Sequence, residues 1–158
     1  MNSFYIIFAV IVIITVVGIA IYFAYKPKKQ KKTDSLYTEA LNAMLRADKP
    51  KAINLLKNIV KQDSDHVDAY LQLGSILRDD DPQRALKIHQ MLTVRPNLEQ
   101  NIQIEIYKSL AMDYETIGNL IRSKREAEQI LIIDKQNQWA LSFLLKLGEK
   151  IKDWDYAE

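Results

Sequence analysis

The stretch Leu73-Gly-Ser-Ile-Leu-Arg-Asp-Asp-Asp-Pro-Gln-Arg-Ala-Leu-Lys-Ile-His-Gln-Met-Leu92 admits two readings. Asp79, Asp80 and Asp81 stand within ten residues of His89, as a metal or acid/base site would require. The same residues also describe two helices joined by a tight turn. Asp before Pro is a helix-start pattern: the carboxylate accepts from free first-turn amides, and proline sits where its missing donor is harmless. Asp81 is therefore expected as the N-cap and Pro82 as the first helical residue, with Asp79 and Asp80 as solvated turn charges. His89 follows Ala85 by four and precedes Leu92 by three, which places it on the packed stripe as a hydrogen-bonded interhelix residue. His66 belongs to a separate loop, and no His-x-x-x-His spacing occurs. The hairpin reading is preferred.

Working outward, the hairpin recurs. Tyr70, Leu73, Gly74, Leu77 and Ala85 follow the tetratricopeptide pattern, a large residue, then Leu and a small residue, then a small residue opening a second helix. Tyr107, Leu110, Ala111, Tyr114, Gly118, Ser123 and Ala127 follow it more fully. Weaker copies use Leu36, Ala40, Ala43 and Ala52, and then Leu141, Leu144, Trp154 and Ala157. The small residues Ala52, Ala85, Ser123 and Ala157 are 33, 38 and 34 apart. The longer interval has a source in the link Arg95-Pro96-Asn97-Leu98-Glu99-Gln100. No stretch after Asp34 alternates as a strand would. Breaks at Asp48, Asp63, Asp81, Pro96, Gly118, Asn137 and Asp153 divide this part into seven helices and the start of an eighth.

The first 25 residues carry no charge. Phe4 to Tyr25 is long enough to cross a hydrocarbon layer of about 30 Å as a helix. Fourteen Ile, Val or Phe between Phe4 and Phe23 favour insertion by roughly 4–8 kcal/mol. A cleaved signal peptide is disfavoured, because no basic region precedes the run and the run continues past Gly18-Ile19-Ala20. Lys26, Lys28, Lys29, Lys31 and Lys32 follow, against no charge on the other side, so the carboxy-terminal part is expected in the cytoplasm. These lysines stop transfer and would also attract anionic lipid headgroups, at about 1 kcal/mol each close to the surface. The expected architecture is all-α: a transmembrane helix at 1–25, a polybasic linker at 26–33, and a tetratricopeptide hairpin solenoid at 34–158. Its repeats divide as 34–64, 65–96, 97–135 and an incomplete 136–158.

Composition narrows function. The net charge is +2, but residues 33–158 hold 17 basic and 20 acidic side chains, so no general nucleic-acid surface is expected. Cysteine is absent, which excludes disulfides, thiol catalysis and cysteine-ligated zinc. No glycine-rich phosphate loop or nucleophile elbow occurs. No catalytic residue, cofactor or metal is expected, and the chain does not read as an enzyme. Arg122, Lys124 and Arg125 read as a solvated face, and Trp139 and Trp154 as packing residues.

The order of Ala69-Tyr-Leu-Gln-Leu-Gly-Ser-Ile-Leu-Arg78, Arg84-Ala-Leu-Lys-Ile-His-Gln90, Arg95-Pro96, Ser109-Leu-Ala-Met-Asp-Tyr114 and Lys152-Asp-Trp-Asp-Tyr-Ala157, with the long third link, resembles the amino-terminal half of the lipopolysaccharide assembly protein B family. The resemblance implies a bacterial inner-membrane scaffold with its repeats in the cytoplasm. Its implied partners are a membrane-bound protease and an envelope-biosynthetic enzyme. Members of that family continue into further repeats and a paired Cys-x-x-Cys metal domain, neither of which occurs here. The sequence is then either a piece of a longer protein or a shorter relative.

Two further function classes stay open, a structural or assembly subunit of a membrane complex and a periplasm-facing chaperone-type repeat protein. In a tetratricopeptide hairpin the first helix faces the concave side, which places a partner groove at Tyr37, Leu41 and Met44, at Leu71, Ser75 and Arg78, and at Lys108, Met112 and Glu115. Tyr37, Leu41 and Met44 either face a partner or pack on their own repeat. An extended link from Lys26 to Thr33 reaches at most about 26–29 Å, which keeps the first repeat near the bilayer.

Overall fold

The computed structural model describes the backbone of residues 2–155 and the side chains of residues 5–22 and 33–151. Seven helices occur among the described residues: α1 Asn2–Leu45, α2 Lys49–Gln62, α3 Val67–Leu77, α4 Pro82–Thr93, α5 Gln100–Thr116, α6 Leu120–Ile133 and α7 Gln138–Asp155. They form two compact units, Met1–Ser64 and Asp65–Glu158.

In the first unit, α1 packs against α2. The turn between them follows from local chemistry. Ala47 takes a positive φ, and the Asp48 carboxylate accepts from the amide of Lys51 at 3.2 Å, with Pro50 in the first turn. Ala40 and Ala43 of α1 meet Ala52, Leu56 and Ile59 of α2 in the buried seam. The Tyr5–Tyr22 stretch of α1 is apolar enough to cross a membrane, with a mean hydropathy of 2.8, and none of it is buried. Sequence reading separated span from repeat by a linker at 26–33, yet the backbone is helical throughout α1. Lysine and glutamine are good helix formers, and Pro27, which lacks a donor and crowds the carbonyl four residues before it, is the one helix-disfavouring residue from Lys26 to Lys32.

In the second unit, α3 and α4 form one hairpin and α5 and α6 the next, α4 packs on α5, and α7 packs on α6. Leu71, Leu86, Leu92, Ile106, Leu110 and Tyr114 make the core. Ala52, Ala85 and Ser123, the small residues chosen from the repeat spacing, are each the fourth residue of α2, α4 and α6 and are fully buried. Ser123 also donates its hydroxyl to the Ala111 carbonyl at 2.7 Å, which lets a polar side chain serve at a close helix crossing. Ala157 lies outside the described residues.

Caps punctuate the hairpins as residue chemistry requires. Asp81 accepts from the Arg84 amide at 3.1 Å ahead of Pro82. Asn119 accepts from the Arg122 amide at 3.1 Å, after Gly118 turns the chain with a φ of 79° that favours glycine. Asn137 does the same for Ala140 at 3.1 Å. The helix break expected at Asp153 is not found: α7 continues to Asp155.

Candidate functional site

The stretch first read for chemistry is a structural centre. Asp79 and Asp80 are exposed at the α3–α4 turn. His66, expected in a loop, caps α3, with Nδ1 accepting from the Ala69 amide at 3.3 Å. Among the described residues no three of His, Asp and Glu converge as metal ligands.

His89 is fully buried between α3, α4 and α5. Its Nδ1 donates to Asp113 Oδ2 at 2.5 Å, and its Nε2 faces the Leu71 carbonyl oxygen at 3.2 Å. Both partners are acceptors, so a neutral ring satisfies only one of them and the doubly protonated ring satisfies both. The other oxygen of Asp113, which is also fully buried, accepts from Arg78 Nε at 2.6 Å. One carboxylate thus joins the cation that caps the end of α3 to a ring from α4. The Arg78 Nη2 is buried and finds no partner among the described residues. Gly74 makes room for this cluster: a Cβ there would stand 2.4 Å from Nε2 and 2.6 Å from Cε1 of His89.

This geometry revises the expected groove. Leu71 is 6 % exposed and belongs to the core, because its position on α3 turns it toward α4 and α5. The Arg78 side chain is 12 % exposed and committed to Asp113. Ser75, Lys108, Met112 and Glu115 are half-buried. Lys108 pairs with Glu105 at 3.3 Å and lies 5.5 Å from the centre of the Trp139 ring, while Glu115 pairs with Lys150 of α7. The charges of this face therefore bind one another before any ligand arrives. Trp139 stacks on Phe143 with ring centres 4.7 Å apart. In the first unit Tyr37, Leu41 and Met44 are half-buried on α1. The side chains of Lys26, Lys28, Lys29, Lys31 and Lys32 lie outside the described residues, as do those of Trp154 and Ala157.

A second concavity, missed in the sequence, is a cleft of about 380 Å³ floored by Tyr107, Leu110 and Tyr114 of α5 and walled by Gln90, Arg125 and Glu126. Burial raises the Glu126 carboxyl above its ordinary value, and the Arg125 and Arg122 charges partly offset that effect. Arg122 sits 5.7 Å from the Tyr114 ring centre, and Lys124 reaches Glu128 at 3.8 Å.

The chain matches no family model. It is distantly homologous to lipopolysaccharide assembly protein B. The Escherichia coli K12 protein is 26 % identical over 143 residues, covering 86 % of this chain and 37 % of that protein. The Haemophilus influenzae protein is 30 % identical over 132 residues, covering 77 % of this chain and 33 % of that protein. The chain thus spans about a third of the length of these relatives. Among solved structures it is similar to the Sgt2 TPR domain from Aspergillus fumigatus, with a TM-score of 0.69 and 16 % identity, covering 80 % of this chain and 84 % of that one. The fold is that of tetratricopeptide domains.

Proposed function

We propose that the chain is a single-pass, membrane-anchored scaffold whose tetratricopeptide hairpins hold protein partners in the cytoplasm of a bacterium. The observation that carries this reading is one helix, α1, that begins as an exposed apolar span and ends as the first helix of a repeat. Homology to lipopolysaccharide assembly protein B supports an inner-membrane location and a role in envelope biogenesis. By that analogy the partners are a membrane-bound protease and an envelope-biosynthetic enzyme. The five lysines from Lys26 to Lys32 favour a cytoplasmic carboxy-terminus and contact with anionic lipid.

Each unit offers a partner surface of its own: Ser75, Met112 and the rims of Lys108 and Glu115 in the second, and Tyr37, Leu41 and Met44 in the first. The apolar members of both, and the self-paired charges of the second, suit an amphipathic segment better than a highly charged one. Crosslinking in native membranes, followed by identification of the captured proteins, tests the role. Recovery of a protease or a lipid-biosynthetic enzyme is expected, and it should fall for Tyr37→Ser/Met44→Ser at unchanged thermal stability. Capture of neither removes the envelope role, and a carboxy-terminal reporter active only in the periplasm overturns the topology.

A further inference from the structure

The positive charge of the protein is concentrated in one unit. Residues 1–64 carry ten basic and four acidic side chains, whereas residues 65–158 carry twelve and sixteen. The excess extends beyond the lysines that follow the span. Helix α2 contains Lys49, Lys51, Lys57 and Lys61 and no acidic residue. Its core face is Ala52, Leu56 and Ile59, and the opposite face exposes Asn54, Lys57, Asn58 and Lys61 at helical spacing. Of the four carboxylates in this unit, Glu39 is held by Lys51 at 2.9 Å and Asp48 caps α2. Lys57 and Lys61 make no ion pair among the described residues.

Geometry gives this face a partner. The short turn after α1 sends α2 back antiparallel to it, so the Lys61 end returns toward the span. In the antiparallel pair Lys61, twelve residues from the start of α2, comes level with Thr33, twelve from the end of α1, and Thr33 lies eleven residues beyond Tyr22, an axial rise of about 17 Å. Headgroups occupy about 5–7 Å of that distance. The remaining gap of about 10 Å is one screening length before the lysine stems are counted. We propose that the Lys61 end of α2, with Lys57 one turn behind it, is held toward anionic lipid headgroups across this gap and orients the first hairpin on the bilayer. This inference depends on α1 spanning the membrane, as proposed above. The face carries no large exposed apolar side chain, so the contact is electrostatic and does not require insertion.

The chain lacks cysteine, so Asn58→Cys gives a single site for a fluorophore. The full chain is placed in vesicles of neutral lipid, or of neutral lipid mixed with phosphatidylserine, each with a headgroup-tethered quencher. Quenching should rise about twofold or more with anionic lipid, fall toward the neutral value in high salt, and be lost in Lys57→Gln/Lys61→Gln. Equal quenching in both vesicles overturns the proposal. A label that responds to an added RNA oligonucleotide but not to anionic lipid overturns it in favour of nucleic acid. Alkaline extraction of the same vesicles reports the anchor separately. Release of the protein would refute the span, whereas retention with lipid-independent quenching would refute only the α2 contact.

Discussion

At the scale of single residues, Gly74 and Asp113 decide how the second unit holds together. A methyl group at Gly74 would meet a fully buried imidazole that Asp113 holds in place. Gly74→Ala should therefore cost about 1–3 kcal/mol in denaturant unfolding. In a His89→Ala background the clash is gone, so the two losses should be less than additive, and a purely additive double-mutant cycle would contradict the packing described. Asp113→Ala leaves Arg78 and His89 without their shared carboxylate and should cost about 3–5 kcal/mol. The sequence disclosed half of this cluster. The 3–4 spacing put His89 on a packed stripe, but its partners lie 24 and 35 positions apart from one another in the pairs His89–Asp113 and Arg78–Asp113, on different helices. An acidic residue on the Leu110, Ala111, Tyr114 stripe was the available signal. Helical period alone does not say which buried polar groups face each other.

At the scale of elements, caps and half-buried charges set the edges of each helix. Asp81→Ala removes the acceptor for the Arg84 amide and should cost about 1 kcal/mol, while Asp79→Ala should change stability by only a few tenths. Glu126 on α6 has the opposite character. Its folded carboxyl titrates above the ordinary value near 4.5 because burial opposes ionisation, so it favours the folded state less as pH rises from 4.5 through that raised value. Glu126→Gln should accordingly raise the melting temperature at pH 7, with the advantage shrinking as pH falls through that window. An advantage that grows toward acid pH would refute the assignment. The helices and their caps were legible because Asp-Pro, Gly-Asn and small-residue spacing act locally. The groove was less so: the pattern gives the face of a helix but not that Glu115 and Lys150 would find each other across α5 and α7.

At the scale of the whole chain, the feature with the widest consequence is the unbroken course of α1 from Asn2 to Leu45. From the sequence, 26–33 is expected as a polybasic link that fixes only how far the first repeat can lie from the bilayer, and such a link leaves the direction of the first hairpin open. A helix instead acts as a keyed shaft. Each residue added between Phe23 and Lys32 advances the hairpin by about 1.5 Å and turns its azimuth by about 100°. Insertions of one or two residues should thus swing Tyr37 and the α2 lysines away from whatever they meet, whereas seven residues make nearly two turns and return them almost to phase. Partner capture should oscillate with insertion length, with a maximum near seven. A smooth decline with length would show that torque is not transmitted from the bilayer to the repeats.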